Sequence, residues 1–214
     1  MADNPLPYGI RWVGSQVGVS APKPFRVRLA SGLAPTVGGT AVNLRPGDPM
    51  IQLSTGYWGV GIGSEGSVSR IGGILCNVGP VFDGTQMSPI NRFVSGSGVY
   101  STNFDRMTYA WVYPADGQIF EMCCDDKTTF TTEATYLAAI GENCDMILAA
   151  DTSNANDTSI KSLLDISSHH VSSAVQWRLL DLSPRINEDY TGLYVQYKVT
   201  VAQTQSAPYY VTGT

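Results

Sequence analysis

The sequence predicts an all-β fold with one short helix: a β-barrel or sandwich core carrying an extended amino-terminal arm and a carboxy-terminal tail. Three observations carry this expectation. Short runs of β-branched and aromatic residues alternate with Gly, Pro, Asn and Asp turn signals at the intervals of a barrel or sandwich. The 214 residues include 22 Gly and 12 Pro, which interrupt helices. Helix signals gather in one stretch only. A chain of this length buries roughly 70% of the surface its unfolded form exposes, enough for a sizeable core.

The arm covers residues 1–24, where Pro5, Pro7, Pro22 and Pro24 are interspersed with Gly9, Gly14 and Gly18. Its leading stretch, "NPLPYGIRWVGS" (residues 4–15), carries Leu6, Tyr8, Ile10 and Trp12. A disordered tail is normally polar and charged, because it cannot bury enough apolar area to repay its ordering. A signal peptide needs a basic start and an unbroken apolar run, which Pro5 and Pro7 interrupt. The arm therefore reads as extended, with at most one short strand over "IRWV", and as a clasp ordered by a neighbouring subunit or surface.

A Gly-rich small β subdomain is expected over residues 25–90. "AVNLRPGDPMIQL" reads as strand, turn and strand, with Pro46 to Pro49 as the breaker. "SRIGGILCNVGPVFDG" continues the sheet. A soft boundary at 82–101 leads to the main β unit, 91–205, and a single core shared by both halves stays open. "MTYAWVYPADGQIFEMCC" reads as a hairpin turning at Pro114 to Gly117. In its second strand Phe120, Met122 and Cys124 share an apolar side, and Glu121 and Cys123 the other.

"TTEATYLAAIGEN" predicts a helix over about 132–140, with Thr131 or Thr132 as N-cap, Glu133 in the first turn and Gly141 as the stop. Tyr136, Leu137 and Ile140 have helical spacing and are expected to pack on the sheet. "DTSNANDTS" (151–159) reads as an exposed loop. In "LYVQYKVTV", Leu193, Val195, Tyr197, Val199 and Val201 form a buried face, and Tyr194, Gln196, Lys198 and Thr200 a wetter one. The tail, 206–214, is again apolar and carries Tyr209 and Tyr210.

Charged residues make up 14% of the chain, against roughly 25% in ordinary soluble proteins, and the net charge is −5. Nucleic acid is excluded as a partner on that balance, since phosphate binding needs clustered Lys and Arg. No apolar run reaches the ~20 residues of a membrane span. The four cysteines, Cys76, Cys123, Cys124 and Cys144, are too few and too irregular for a disulfide framework and read as buried free thiols, consistent with assembly in a reducing cytoplasm.

No catalytic set, metal site or cofactor is expected. "GIGSEG" (61–66) matches a dinucleotide fingerprint, yet "SVSRIGGIL" follows it where a helix is required. His169 and His170 point apart on an extended chain and read as surface or loop residues. No nucleophile elbow or protease-like cysteine motif occurs. Asn156-Asp157-Thr158 is a formal glycosylation sequon, expected to stay unmodified in a cytoplasm. In "GYWGVGIG", Gly59, Gly61 and Gly63 fall on one face of a strand, a bare column that admits close backbone or ring contact. Two readings stay open: close packing inside the fold, or a seat for a neighbour's arm. Candidate interface residues are thus Leu6, Tyr8, Ile10, Trp12, Gly59, Gly61, Gly63, Tyr209 and Tyr210.

An ordered series of pieces adds a resemblance. "LRPGDPMIQL … GGILCNVGPVF" resembles a small barrel of tailed-bacteriophage virion proteins. "YAWVYPADGQIFEM", "AAIGENCDMI", "LLDISSHHVSSAVQWRLLDLSP" and "LYVQYKVTVAQTQSAP", in that order, look like phage capsid decoration (cement) proteins, over about residues 25–208. Cys144 stands where a small residue is expected. The resemblance implies a non-enzymatic protein on the outside of an icosahedral head, often a homotrimer, with the major capsid protein as partner and no membrane or cofactor. A tail, adaptor or head-fibre component, and a β-rich adhesion or carbohydrate-binding module using exposed aromatics such as Tyr57, Trp58, Tyr209 and Tyr210, are the alternatives.

Overall fold

The computed structural model describes residues 10–16, 22–29, 36–37, 40–41, 46–53, 56–61, 71–78, 81–82, 87–88, 109–125, 130–151, 159–170, 176–183, 190 and 194–202. In chain order the strands are β1 (Arg11–Ser15), β2 (Phe25–Arg28), β3 (Thr36–Val37), β4 (Thr40–Ala41), β5 (Pro49–Gln52), β6 (Trp58–Val60), β7 (Gly73–Val78), β8 (Val81–Phe82) and β9 (Met87–Ser88). They continue with β10 (Tyr109–Pro114), β11 (Gln118–Cys123), helix α1 (Glu133–Ala138), β12 (Asn143–Asp151), β13 (Ser159–His170), β14 (Trp177–Leu182) and β15 (Gln196–Val201). The fold is mainly β with one short helix, as the turn-punctuated sequence predicts.

Two antiparallel sheets make up the body, ordered β1-β11-β15-β14-β12-β13 and β2-β10-β7-β5-β6. Both curl. A parallel bridge from Leu29 to Trp58 joins the outer strands of the five-stranded sheet, and one from Cys124 to Leu164 brings β13 round to the end of β11. The second closure is reinforced by the Asp125 amide, which donates to the Leu164 carbonyl at 3.0 Å. Each bridge covers part of a sheet edge, which otherwise templates association.

"MTYAWVYPADGQIFEMCC" is not a hairpin. β10 pairs with β2 and β7, whereas β11 pairs with β1 and β15. The turn carries the chain from one sheet to the other: the Ala115 amide donates to Gly72, and Gly117 takes φ +64°. A positive φ is cheap only for glycine. Because β10 lies between β2 and β7, the stretches before and after the expected boundary share a sheet. Val27, Leu75 and Val112 belong to the same buried cluster as Phe120, Tyr197 and Val199.

The interior of the six-stranded sheet follows the two-residue alternation. Phe120, Met122 and Cys124 face Tyr197, Val199, Leu179 and Trp177, all essentially inaccessible, and Phe120 meets Trp177 edge to face at 6.1 Å. The opposite side of these central strands is not the wetter face expected. Glu121, Cys123, Gln196 and Thr200 are buried too. The Gln196 side-chain amide donates to Cys123 Sγ at 3.5 Å, which gives a buried polar group a partner.

Helix α1 is capped by Thr132. Its hydroxyl accepts from the Thr135 amide, while the Thr135 hydroxyl accepts from the Thr132 amide. Only one side of so short a helix can reach the sheet. Tyr136 is fully buried and Ile140 packs against the core, but Leu137, expected to pack, is 46% exposed. Tyr136 donates to the Phe130 carbonyl at 2.8 Å, and Tyr197 donates to the Tyr136 carbonyl at 2.7 Å, tying helix to sheet. The excursion after β12 joins a long hairpin, pairing Asp151 with Ser159; residues 152–158 lie outside the described set.

Candidate functional site

The amino-terminal strand carries the candidate interface residues that the structure describes best. β1 joins the edge of the six-stranded sheet beside β11, in the register Arg11 to Glu121 and Trp12 to Phe120, with a shift before the pairing of Gly14 with Ile119. The shift leaves Val13 as an extra residue, exposed at the surface. Ile10 is 4% exposed, its amide donating to the Gly47 carbonyl at 2.9 Å. The Trp12 indole packs against the core and donates to Gln118 Oε1 at 2.9 Å. Both residues, expected to grip a neighbour, are fixed inside this chain. The physical reason is local: an apolar strand next to an open sheet edge is satisfied at once by its own sheet.

Arg11 occupies the other side of β1 and sets up an alternating row of charge. Arg11 pairs across the sheet with Glu121, Glu121 with Lys198, and Lys198 with Asp181. The Arg11 guanidinium donates to Glu121, whose side chain is 5% exposed against 58% for Arg11. Ser183 donates to the second Glu121 oxygen. Lys198 reaches Asp181 at 3.1 Å, both largely in solvent. Opposite charges directly across strands are stabilising. The buried carboxylate is the costly member, since it must keep its partners.

Beside β1 opens a groove of about 460 Å³, lined by Ile10, Trp12, Gly47, Ile74, Cys76 and Tyr113 among others. β7 and β10 supply one wall and β1 the other. The Tyr113 phenol lies against Cys76, and this contact, followed by burial, raises it above its ordinary value. The wall is therefore mostly apolar, with one hydroxyl, one thiol and Arg11 among its lining residues.

The glycine column resolves toward packing where it is described. Gly59 and Gly61 are buried. A Cβ on Gly61 would meet Ile51 Cγ2 at 3.0 Å, and its amide donates to the Pro49 carbonyl at 2.8 Å. The neighbour that needs the space is β5 of the same chain. Leu6, Tyr8, Gly63, Tyr209 and Tyr210 lie outside the described residues.

The remaining titratable groups are structural. Among the described residues no group of three or more His, Cys, Asp or Glu gathers to hold a metal ion. All four cysteines are free thiols. Burial first, then the Asp125 and Cys123 charges, push Cys124 up to about 12, and burial holds Cys144 well above its ordinary value. Such thiols stay protonated and are poor nucleophiles. Burial likewise raises the Tyr197 phenol. His169 is a strand residue rather than a loop one: its Nδ1 lies 2.8 Å from the Ile166 carbonyl and its ring meets Phe130 edge-on at 5.0 Å. Its Nε2 sits 3.6 Å from Glu142. Among the described residues no helix is long and apolar enough to cross a membrane.

Sequence reasoning missed Arg11, Glu121, Gly47, Cys76 and Tyr113. Two signals pointed to the first pair: one charge inside "GIRWVG" and one inside "IFEMCC". The groove residues come from four separated segments and leave no local trace. In comparison with known proteins, no family model matches the chain, and no curated protein or solved structure matches it.

Proposed function

We propose that the chain is a capsid decoration protein, bound to the outer surface of an icosahedral phage head and stabilising it through contacts between subunits. The observation that supports this best is the placement of its ends. β1 and β15 both flank β11 antiparallel to it, so they run parallel to one another. The arm therefore enters at one end of β11, and the tail leaves at the other. Each extension is apolar: Leu6 and Tyr8 precede Ile10, and Tyr209 and Tyr210 follow Ala202. A rigid β body with an apolar extension at each end of one sheet can engage partners on two sides, which a closed surface lattice requires.

In this reading the body serves as a base, and Leu6, Tyr8, Tyr209 and Tyr210 provide the contacts. Each large apolar side chain contributes about 1.5–3 kcal/mol if fully buried. The partner is the major capsid protein, with further copies of this chain, a homotrimer, around it. No catalysis, cofactor, membrane or nucleic acid enters. The test is co-sedimentation of the purified full chain with phage heads stripped of their outer proteins. Saturable binding with a fixed stoichiometry is expected; absence of binding at micromolar chain would refute the proposal.

A further inference from the structure

We propose that the outer face of the five-stranded sheet binds an acidic polysaccharide, a chain of uronate sugars, on an aromatic strip flanked by arginines. The strip follows from the alternation in β10. Ala110 and Val112 turn into the core, so Tyr109, Trp111 and Tyr113 share the opposite face, each half-buried. β2 runs beside it with the same alternation: Val27 is buried, while Arg26 and Arg28 are exposed. The pairing sets Arg28 opposite Tyr109 and Arg26 opposite Trp111, and β7 sets Asn77 against the other side of Trp111. Arg26 and Asn77 are both exposed, so the surface on each side of Trp111 meets solvent. The Arg26 guanidinium lies over the Tyr109 ring, 4.7 Å from its centre, a contact that holds the cation at the strip.

Charge singles this face out. The chain carries 18 acidic residues against 13 Lys and Arg. The five strands of this sheet contain none of the acidic ones, and their only charged residues are Arg26 and Arg28. Lys23, exposed just before β2, has the same sign. The carboxylate that follows β10, Asp116, sits in the turn beyond Tyr113, at the end of the strip away from Arg28. A positive, acid-free patch on a net-negative protein attracts anions locally. Arginine suits carboxylates in particular, because its planar fork donates two parallel N–H bonds.

The form of the site selects the polymer. Successive rings on one face of a strand are about 6.8 Å apart, so three of them span about 14 Å and engage more than one unit of an extended chain. Sugar rings present flat C–H faces that stack on aromatic rings, and a uronate adds a carboxylate at the ring's edge, where an arginine on the neighbouring strand meets it. An acidic peptide bound by strand addition needs a free sheet edge, whereas β10 is paired on both sides, with β2 and β7. Nucleic acid carries a phosphate at every unit, which two arginines on a chain of net charge −5 do not balance. The inference concerns the body of the chain and stands whether or not the chain decorates a shell.

The test is isothermal titration of the full chain with three uronate hexamers, from pectate, alginate and hyaluronate, against a glutamate hexapeptide and an oligothymidylate of the same length. Binding of at least one uronate hexamer, tighter than that of either control, is expected. Its affinity should fall about tenfold or more in Trp111→Ala, which truncates the centre of the strip. It should fall about tenfold in Arg26→Gln, which removes a charge-assisted contact. Arg26 is exposed, so this second variant keeps the site testable where Trp111→Ala fails to fold. Failure of all three hexamers to bind, tighter binding of the peptide or the oligothymidylate, or an affinity unchanged in Arg26→Gln overturns the proposal.

Discussion

Arg11→Ala removes the exposed partner of a buried carboxylate, and its cost follows from the geometry of the charged row. Breaking a fully buried ion pair costs about 3–5 kcal/mol, because the remaining charge is stranded. Here the Arg11 side chain is 58% exposed and Glu121 5%. Water can replace part of what Arg11 supplies, and Ser183 still donates to Glu121. The expected loss is therefore about 1–2 kcal/mol, between the buried and the surface limits. For a chain of this length that lowers Tm by about 3–6 °C. Glu121→Gln keeps the shape and the acceptor for Ser183 while removing the charge. Urea denaturation of both single variants and the double variant closes a thermodynamic cycle. The account predicts a coupling energy of about 1–2 kcal/mol, with the largest gain in amide exchange in β1. Additivity within about 0.3 kcal/mol would refute the reasoning and would mean that β1 is held by Ile10 and Trp12 alone.

Other perturbations follow from the same packing. Gly73→Ala should destabilise by about 2–3 kcal/mol in urea denaturation, since its Cβ would lie 2.2 Å from Val112 Cγ1 and 2.4 Å from the Tyr113 carbonyl oxygen, which cannot move freely. Thr132→Ala should cost about 1 kcal/mol through loss of the reciprocal cap, measured as a shift in denaturation midpoint, whereas Leu137→Glu, at an exposed position, should change it by less than about 0.5 kcal/mol. The Cys124 thiol, raised from 9.0 to about 12 in the folded chain, contributes stability that is complete below pH 9 and is lost as pH rises toward 12, because the folded state holds a proton the unfolded state releases. Denaturation curves at pH 8 and pH 10.5 should show this loss, and Cys124→Ala should reduce it, leaving the part that the raised Cys144 and Tyr197 groups contribute.

Much of the fold was legible because it is written in local periods. The alternation in "QYKVTV" places Tyr197 and Val199 in the core, and Thr132, Glu133 and Gly141 bracket the helix. What failed were readings that depend on distant neighbours. "YPADGQ" has the turn residues of a hairpin, but β11 finds β1 and β15 as partners, and β10 finds β2 and β7. Turn chemistry fixes a change of direction and leaves the pairing to the sheets. Likewise Glu121 and Gln196 look like surface residues in a two-residue alternation, yet both are buried. Trp12 and Ile10 read from the sequence as contacts to a neighbour, whereas the structure packs both against the core of this chain. The groove joins residues 10–12, 46–47, 74–76 and 113, a set no local pattern could assemble.

The central claim, that this is a shell decoration protein, is tested most directly by its copy number in purified source particles, relative to the main shell subunit, by quantitative mass spectrometry. The account predicts a ratio close to that of the shell subunit. A handful of copies per particle would move the chain to the tail or portal, and absence from the particle would contradict the account.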